Sequence, residues 1–181
     1  SRGTAYGVFR LSEIIGVSPW YWWGDILPVK KDSLIIPAND IISSEPSVKY
    51  RGIFLNDEDW GLHPWASATF EPETGDIGPK TYAKIFELLL RLRANTIWPA
   101  MHNCTRAFFH VPGNIEMARK YNIVIGSSHA EPMLRNNVDE WKTDSMGEFN
   151  YRTNGERVRQ YWEQRVVQSR NNEVIFTLGM R

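Results

Sequence analysis

Four short apolar runs, each ending in or soon followed by polar residues, pace this sequence from residue 50 onward: 51–56 (RGIFLN), 95–99 (NTIWP), 122–129 (NIVIGSSH) and 173–180 (EVIFTLGM). Helical patterns separate them. Within 79–93, Tyr82, Ile85, Phe86, Leu89 and Leu92 share one face, while Lys80, Lys84, Glu87 and Arg91 take the other. Pro79 suits the first turn of that helix, where its missing N–H costs nothing. A second helix is expected within 113–121, and a third over 155–169 with Asn154 as N-cap and Val158, Tyr161, Trp162 and Val166 inward. Strand, polar tip, loop and helix recurring in this order predict an α/β fold with a parallel sheet. The runs are continuous rather than alternating, as in strands covered on both faces.

A doubly wound sheet and a (β/α)8 barrel both produce such a pattern. No G-x-G-x-x-G fingerprint and no Walker-type loop follows any of the runs, which weighs against nucleotide-binding folds. The loops after the first three runs are long and rich in polar and aromatic residues, as at the catalytic face of a barrel. The expected fold is therefore the first half of a (β/α)8 barrel, covering residues 49–181 and truncated after its fourth strand. Residues 1–48 are expected to be the tail of a smaller N-terminal α/β domain with its linker. There, residues 5–16 carry Val8, Leu11, Ile14 and Ile15 at helical spacing, ended by Gly16, and Pro28, Pro37 and Pro46 forbid long regular elements afterwards. Four strands leave two open edges, so this piece is expected to need the rest of its sheet.

Composition narrows the function. Twenty-one Lys and Arg balance twenty-one Asp and Glu, with both signs scattered, so no polyanion-binding surface is expected and nucleic acid is not a partner. No apolar run approaches the ~18–20 residues of a membrane span. The lone Cys104 excludes an internal disulfide and a cysteine-based zinc cluster. Four histidines without H-E-x-x-H spacing offer no metal site, and no cofactor is expected. Eight Trp, seven Tyr and eight Phe are unusually many, a composition that suits sugar stacking as well as packing.

At a barrel's catalytic face the chemistry lies at strand C-terminal ends. Those ends supply Asn56, Asp57, Glu58 and Asp59, then Met101, His102 and Asn103, then Ser127, Ser128, His129 and Glu131, and finally Arg181. An amide, carboxylates, imidazoles and a guanidinium are the groups that hold a hydroxylated, anionic small molecule. Each also has a structural reading. Consecutive acids are commonly solvated, a single histidine is as readily a core residue, and Arg181 suits a structural ion pair. The run Trp20-Tyr21-Trp22-Trp23 fits interdomain packing better than a sugar platform; Trp98 fits the core or barrel mouth, and Trp60 and Trp65 fit substrate contact.

The strings RGTAYGVFRLSEIIGVSPWYWWGD, YRGIFLNDED, LLLRLRANTIWPAM, IVIGSSHAEPM and FTLGMR, in order across nearly the whole chain, resemble glycoside hydrolase family 115, the xylan α-glucuronidases. The resemblance implies an α/β domain preceding a (β/α)8 barrel. It implies an inverting hydrolase that releases α-1,2-linked 4-O-methylglucuronic acid from glucuronoxylan or aldouronic oligosaccharides. Asn56 then binds sugar hydroxyls, and Asp57 binds hydroxyls or orients the catalytic water. His129 matches a pocket histidine, with Glu131 behind it. Arg181 matches the arginine of a Gly-Met-Arg-Gly-Asp-Gly-Asp run and partners the uronate carboxylate; the catalytic acid is expected among the aspartates beyond it. Many relatives carry Trp after Trp-Pro-Ala-Met where this chain has His102, so a pocket-wall stacking contact is not expected there; His102 either hydrogen-bonds a sugar hydroxyl or faces a different loop. Asn103-Cys104-Thr105 is an N-glycosylation sequon. The resemblance also implies a secreted or periplasmic protein, and a homodimer, if formed, would use domains outside this chain. Two other readings are a non-catalytic carbohydrate-binding barrel and another glycosidase with an N-terminal α/β domain.

Overall fold

The computed structural model describes residues 1–36 and 44–179. Its centre is a parallel sheet of β1 (Gly52–Phe54), β2 (Thr96–Trp98) and β3 (Val124–Ile125), in that spatial order. The register pairs Ile53 with Ile97 and Phe54 with Trp98, then Thr96 with Val124 and Ile97 with Ile125. A parallel bridge from Ile125 to Val174 continues the order to the fourth run. As far as residue 179 that run carries no other ladder pairing, so the strand expected over 173–180 is reduced to this one bridge among the described residues, residue 180 lying outside them.

Four helices pack around the sheet. α1 (Arg2–Ile14) is capped by the Ser1 side chain, and α2 (Leu62–Trp65) continues into a π-helical turn over Ala66–Phe70. α3 (Pro79–Arg91) and α4 (Asn114–Tyr121) lie against the sheet, with Ile97 and Ile125 buried among Tyr82, Ile85, Phe86, Leu89 and Ala118. Of the face expected for α3, Leu92 is 43% exposed and Leu90 is buried instead. Leu92 sits at the C-cap, where the backbone leaves the helix, and its side chain leaves the apolar face with it.

The first segment differs more from expectation. Val8 and Leu11 are exposed, and Ala5, Tyr6 and Phe9 form the packed side of α1. The docking surface selects them: Tyr6 Oη donates to the Ala94 carbonyl, and the Arg91 guanidinium lies over the rings of Phe9 and Tyr21. Trp22, Trp23, Trp65 and Phe70 form one aromatic cluster, with Trp65 stacked on Phe70 at 4.7 Å. Trp65 thus packs, partly buried, within this cluster, whereas Trp60 is 87% exposed.

α5 (Asn137–Glu140), α6 (Thr143–Met146) and α7 (Tyr151–Ser169) complete the chain order. α7 starts four residues earlier than expected, capped by Asn150, and breaks at Asn154, whose side chain donates to the Met146 and Glu148 carbonyls. Val158 and Tyr161 point inward as expected, but Val166 is exposed and Arg165 is fully buried. Arg165 reaches Glu140 at 2.7 Å and lies over the Phe109 ring, so a guanidinium paired with a buried carboxylate replaces the apolar side chain. No helix among the described residues is long and apolar enough to cross a membrane.

The other face of the sheet carries Phe54 and Trp98, with ring centroids 5.5 Å apart. Trp98 is 38% exposed and passes over Gly126, where a Cβ would lie 2.6 Å from the indole Nε1. It therefore belongs to the open face rather than to the core.

α3 lacks a capping side chain at its own N-cap, Gly78. The buried Glu71 carboxylate replaces it, accepting from the Lys80 and Thr81 N–H groups and from the Thr81 and Thr74 hydroxyls. A methyl group at Gly78 would overlap that carboxylate. We expect Glu71→Ala in the complete protein to cost ~2–3 kcal/mol by chemical denaturation, and Gly78→Ala to act in the same direction. Unchanged midpoints for both would remove Glu71 from this role.

Candidate active site

Parallel pairing brings the C-terminal ends of β1, β2 and β3 to one edge of the sheet. After β1 the chain turns at Asp57, whose φ of 57° is left-handed, a conformation that Asp tolerates better than most residues. A 3-10 turn over Glu58–Trp60 follows. This reversal sorts the polar run by position: Asn56, Asp57 and Asp59 stay exposed, while Glu58 is 2% exposed.

Glu58 reaches the loop after β2. Its Oε1 accepts the His102 backbone N–H at 2.6 Å, and its buried Oε2 has no hydrogen-bond partner. Other carboxylates hold the rest of that loop: Asp76 accepts the Arg106 N–H at 3.0 Å, and Asp139 accepts the Ala107 N–H at 2.8 Å. Asn136 Nδ2 donates to the Met101 carbonyl at 3.2 Å. An irregular loop with so many main-chain donors satisfied by side chains presents His102 in a defined position.

The His102 ring then bridges the turn after β1. Nδ1 lies 2.9 Å from Asp59 Oδ1, and Nε2 lies 3.2 Å from Asn56 Oδ1. The Asp59 hydrogen bond raises the imidazole above its ordinary range; partial burial opposes the shift, and the charges of Glu58, Asp59 and Asp57 reinforce it. Asp57, Asp59 and His102 each offer a donor atom within 4.8 Å of the others, a grouping of metal-ligand type. Within it, Nδ1 and Asp59 are hydrogen-bonded to one another.

The expected residues fall into two groups and a remainder. Asn56, Asp57 and His102 come together. Glu131 is 8% exposed behind the turn after β3 and faces the Ser128 N–H and hydroxyl at 3.4 Å, while Ser128 Oγ also reaches Met101 Sδ at 2.9 Å. His129 is exposed on that turn and makes no hydrogen bond to either group among the described residues. Arg181 lies outside the described residues. Sequence reasoning placed Glu58 and Asp59 at the strand tip but gave them no role; here they hold the backbone and the ring of His102, respectively.

Burial pushes Glu131 up to about 7, with the Ser128 hydrogen bonds opposing the shift and the Glu140 and Glu58 carboxylates adding to it. The folded chain therefore holds a proton that the unfolded chain has lost between about 4.5 and about 7, and stability falls as pH rises through that window. Glu131→Gln keeps the neutral shape. Its stability relative to the unsubstituted complete protein should improve by roughly 3 kcal/mol between about pH 4 and about pH 8. A flat difference in pH-dependent denaturation would contradict that assignment.

The glycosyl hydrolase family 115 model matches residues 43–181. No curated protein matches the chain. Among solved structures, a family GH115 4-O-methyl-alpha-glucuronidase, BtGH115A, described as having specificity for decorated arabinogalactans, superposes with a TM-score of 0.92 at 52% identity. The match covers 99% of this chain and 24% of that protein, so the chain spans about a quarter of its length. A family model covering most of the sequence and a close structural likeness over nearly all of it agree: the chain belongs to glycosyl hydrolase family 115.

Proposed function

We infer that the complete protein containing this chain is an inverting α-glucuronidase that removes α-1,2-linked 4-O-methylglucuronic acid side chains from a plant polysaccharide. The observation that carries the reading is the Asn56–Asp57 tip of β1 joined to His102 at the tip of β2, in a chain of family 115. Asn56 takes a sugar hydroxyl. Asp57, exposed beside it, orients a hydroxyl or the attacking water. His129 adds a hydroxyl contact from the turn after β3, with Glu131 behind it, and Arg181 forks the uronate carboxylate. Inversion places acid and base ~6.5–9.5 Å apart so that water fits between base and anomeric carbon. The acid is assigned to residues beyond Arg181. The sequential strand order supports a (β/α)8 barrel whose first strands lie in residues 49–181, with residues 1–48 closing the preceding domain.

Glucuronoxylan and its aldouronic oligosaccharides are the substrates implied by the sequence. Decorated arabinogalactan is a second reading of the polymer, favoured by the 52% identity to BtGH115A. Either polymer is met outside the cytoplasm, which supports a secreted or periplasmic protein.

In the complete enzyme, Asp57→Asn preserves a side chain that tolerates the left-handed backbone and removes only the charge. It should lower kcat/KM for uronate release by about 10²-fold or more. Asn56→Ala should raise KM by about tenfold. NMR of the first-formed product should show the β-anomer, and comparing release from glucuronoxylan and arabinogalactan identifies the polymer. Undiminished release in both variants would remove this strand tip from the mechanism, and an α-anomer would overturn inversion.

A further inference from the structure

Both ring nitrogens of His102 face side-chain oxygens, and the two oxygens are not equivalent. Asp59 is a carboxylate and only accepts, so Nδ1, at 2.9 Å, carries a proton. Asn56 is an amide, and its two ends can exchange by rotation of the terminal group without changing shape. When Nε2 is also protonated, it donates to Asn56 Oδ1 at 3.2 Å, and the amide NH2 points away from the ring. When Nε2 is unprotonated, it is an acceptor facing an acceptor. The amide then has to turn over, giving its NH2 to Nε2 and presenting its carbonyl outward. Asn56 is exposed, so the outward end is offered to the rim of the site.

We propose that His102 is a proton-controlled positioning residue for Asn56: its imidazolium form presents the amide donor to the bound uronic acid, and its neutral form presents the amide acceptor. The inference rests on the reading above, in which Asn56 touches the sugar. An outward NH2 donates to a sugar hydroxyl oxygen and leaves that hydroxyl's single proton for another acceptor such as Asp57, whereas an outward carbonyl takes that proton itself and costs the hydroxyl one of its two hydrogen bonds. The imidazolium also offsets the negative turn on which it sits.

The groups around the ring favour the protonated form. Glu58 Oε2 lies 3.8 Å from Nδ1, Asp59 is hydrogen-bonded to it, and Asp57 stands beside it on the same turn. Arg106, on the loop of His102, and Asp139 and Lys142, from α5 and just after it, line the cleft next to it. Among the described residues, the ionic contacts of the ring are all to carboxylates. The charge is therefore retained to higher pH than in an isolated histidine and lost as pH rises through that raised value.

The test uses the complete enzyme. KM for uronate release and the inhibition constant of free D-glucuronate are measured from about pH 5 to about pH 9, a range that spans histidine titration. Both constants should rise about three- to tenfold through one transition, the range expected for losing a single hydrogen bond, with kcat changing less. Asp59→Asn keeps an acceptor but removes the charge, and it should move the transition to lower pH. His102→Gln should abolish it. A structural role alone would weaken binding equally at every pH. A transition that stays at its original pH in Asp59→Asn, or survives in His102→Gln, overturns the proposal while leaving the glucuronidase reading intact. Absence of glucuronate binding and release by the unsubstituted enzyme would instead overturn the underlying reading.

Discussion

Parallel pairing is the constraint on which the site depends. Because β1, β2 and β3 run the same way, their polar C-terminal tips share one edge, although about forty residues of chain separate β1 from β2. Only that arrangement lets Asn56 and Asp59 meet His102. The helices contribute indirectly: α3 and α4 bury Ile97 and Ile125 and thereby fix the strands from which the tips project.

A second level of order lies in how the irregular loops are held. The loop after β2 has little main-chain pairing of its own, and carboxylates from three other segments meet its N–H groups: Glu58 at His102, Asp76 at Arg106 and Asp139 at Ala107. Charge-assisted bonds of this kind are stronger than neutral ones, and two of the three carboxylates, Glu58 and Asp76, are nearly fully buried. Their cost of desolvation is offset by the donors they satisfy. Glu58 Oε2 is an exception, a buried oxygen left without a hydrogen bond beside the His102 ring.

Much of the fold was legible because it follows from periodicity. The α3 face from Tyr82 to Leu89 and the parallel β–α order needed only apolar spacing and turn residues. Periodicity is silent on what a helix docks against, which is why α1 packs through Tyr6 and Phe9 rather than Val8 and Leu11. It also cannot anticipate Arg165 inside α7, where a partner twenty-five residues upstream, Glu140, makes burial of a guanidinium tolerable. In the site, Asn56 and Asp57 were legible as a strand tip. The separate duties of Glu58 and Asp59 were not, because consecutive acids look alike until a left-handed residue decides which of them turns inward.

The contact of Trp98 with Gly126 couples the dimensions of two adjacent strands. The edge of the indole can come this close only because its neighbour lacks a side chain, so any heavier residue there would push the ring away. The seat of this indole on the open face is thus inherited from a missing methyl group, and a relative that acquired one would have to carry its aromatic ring elsewhere.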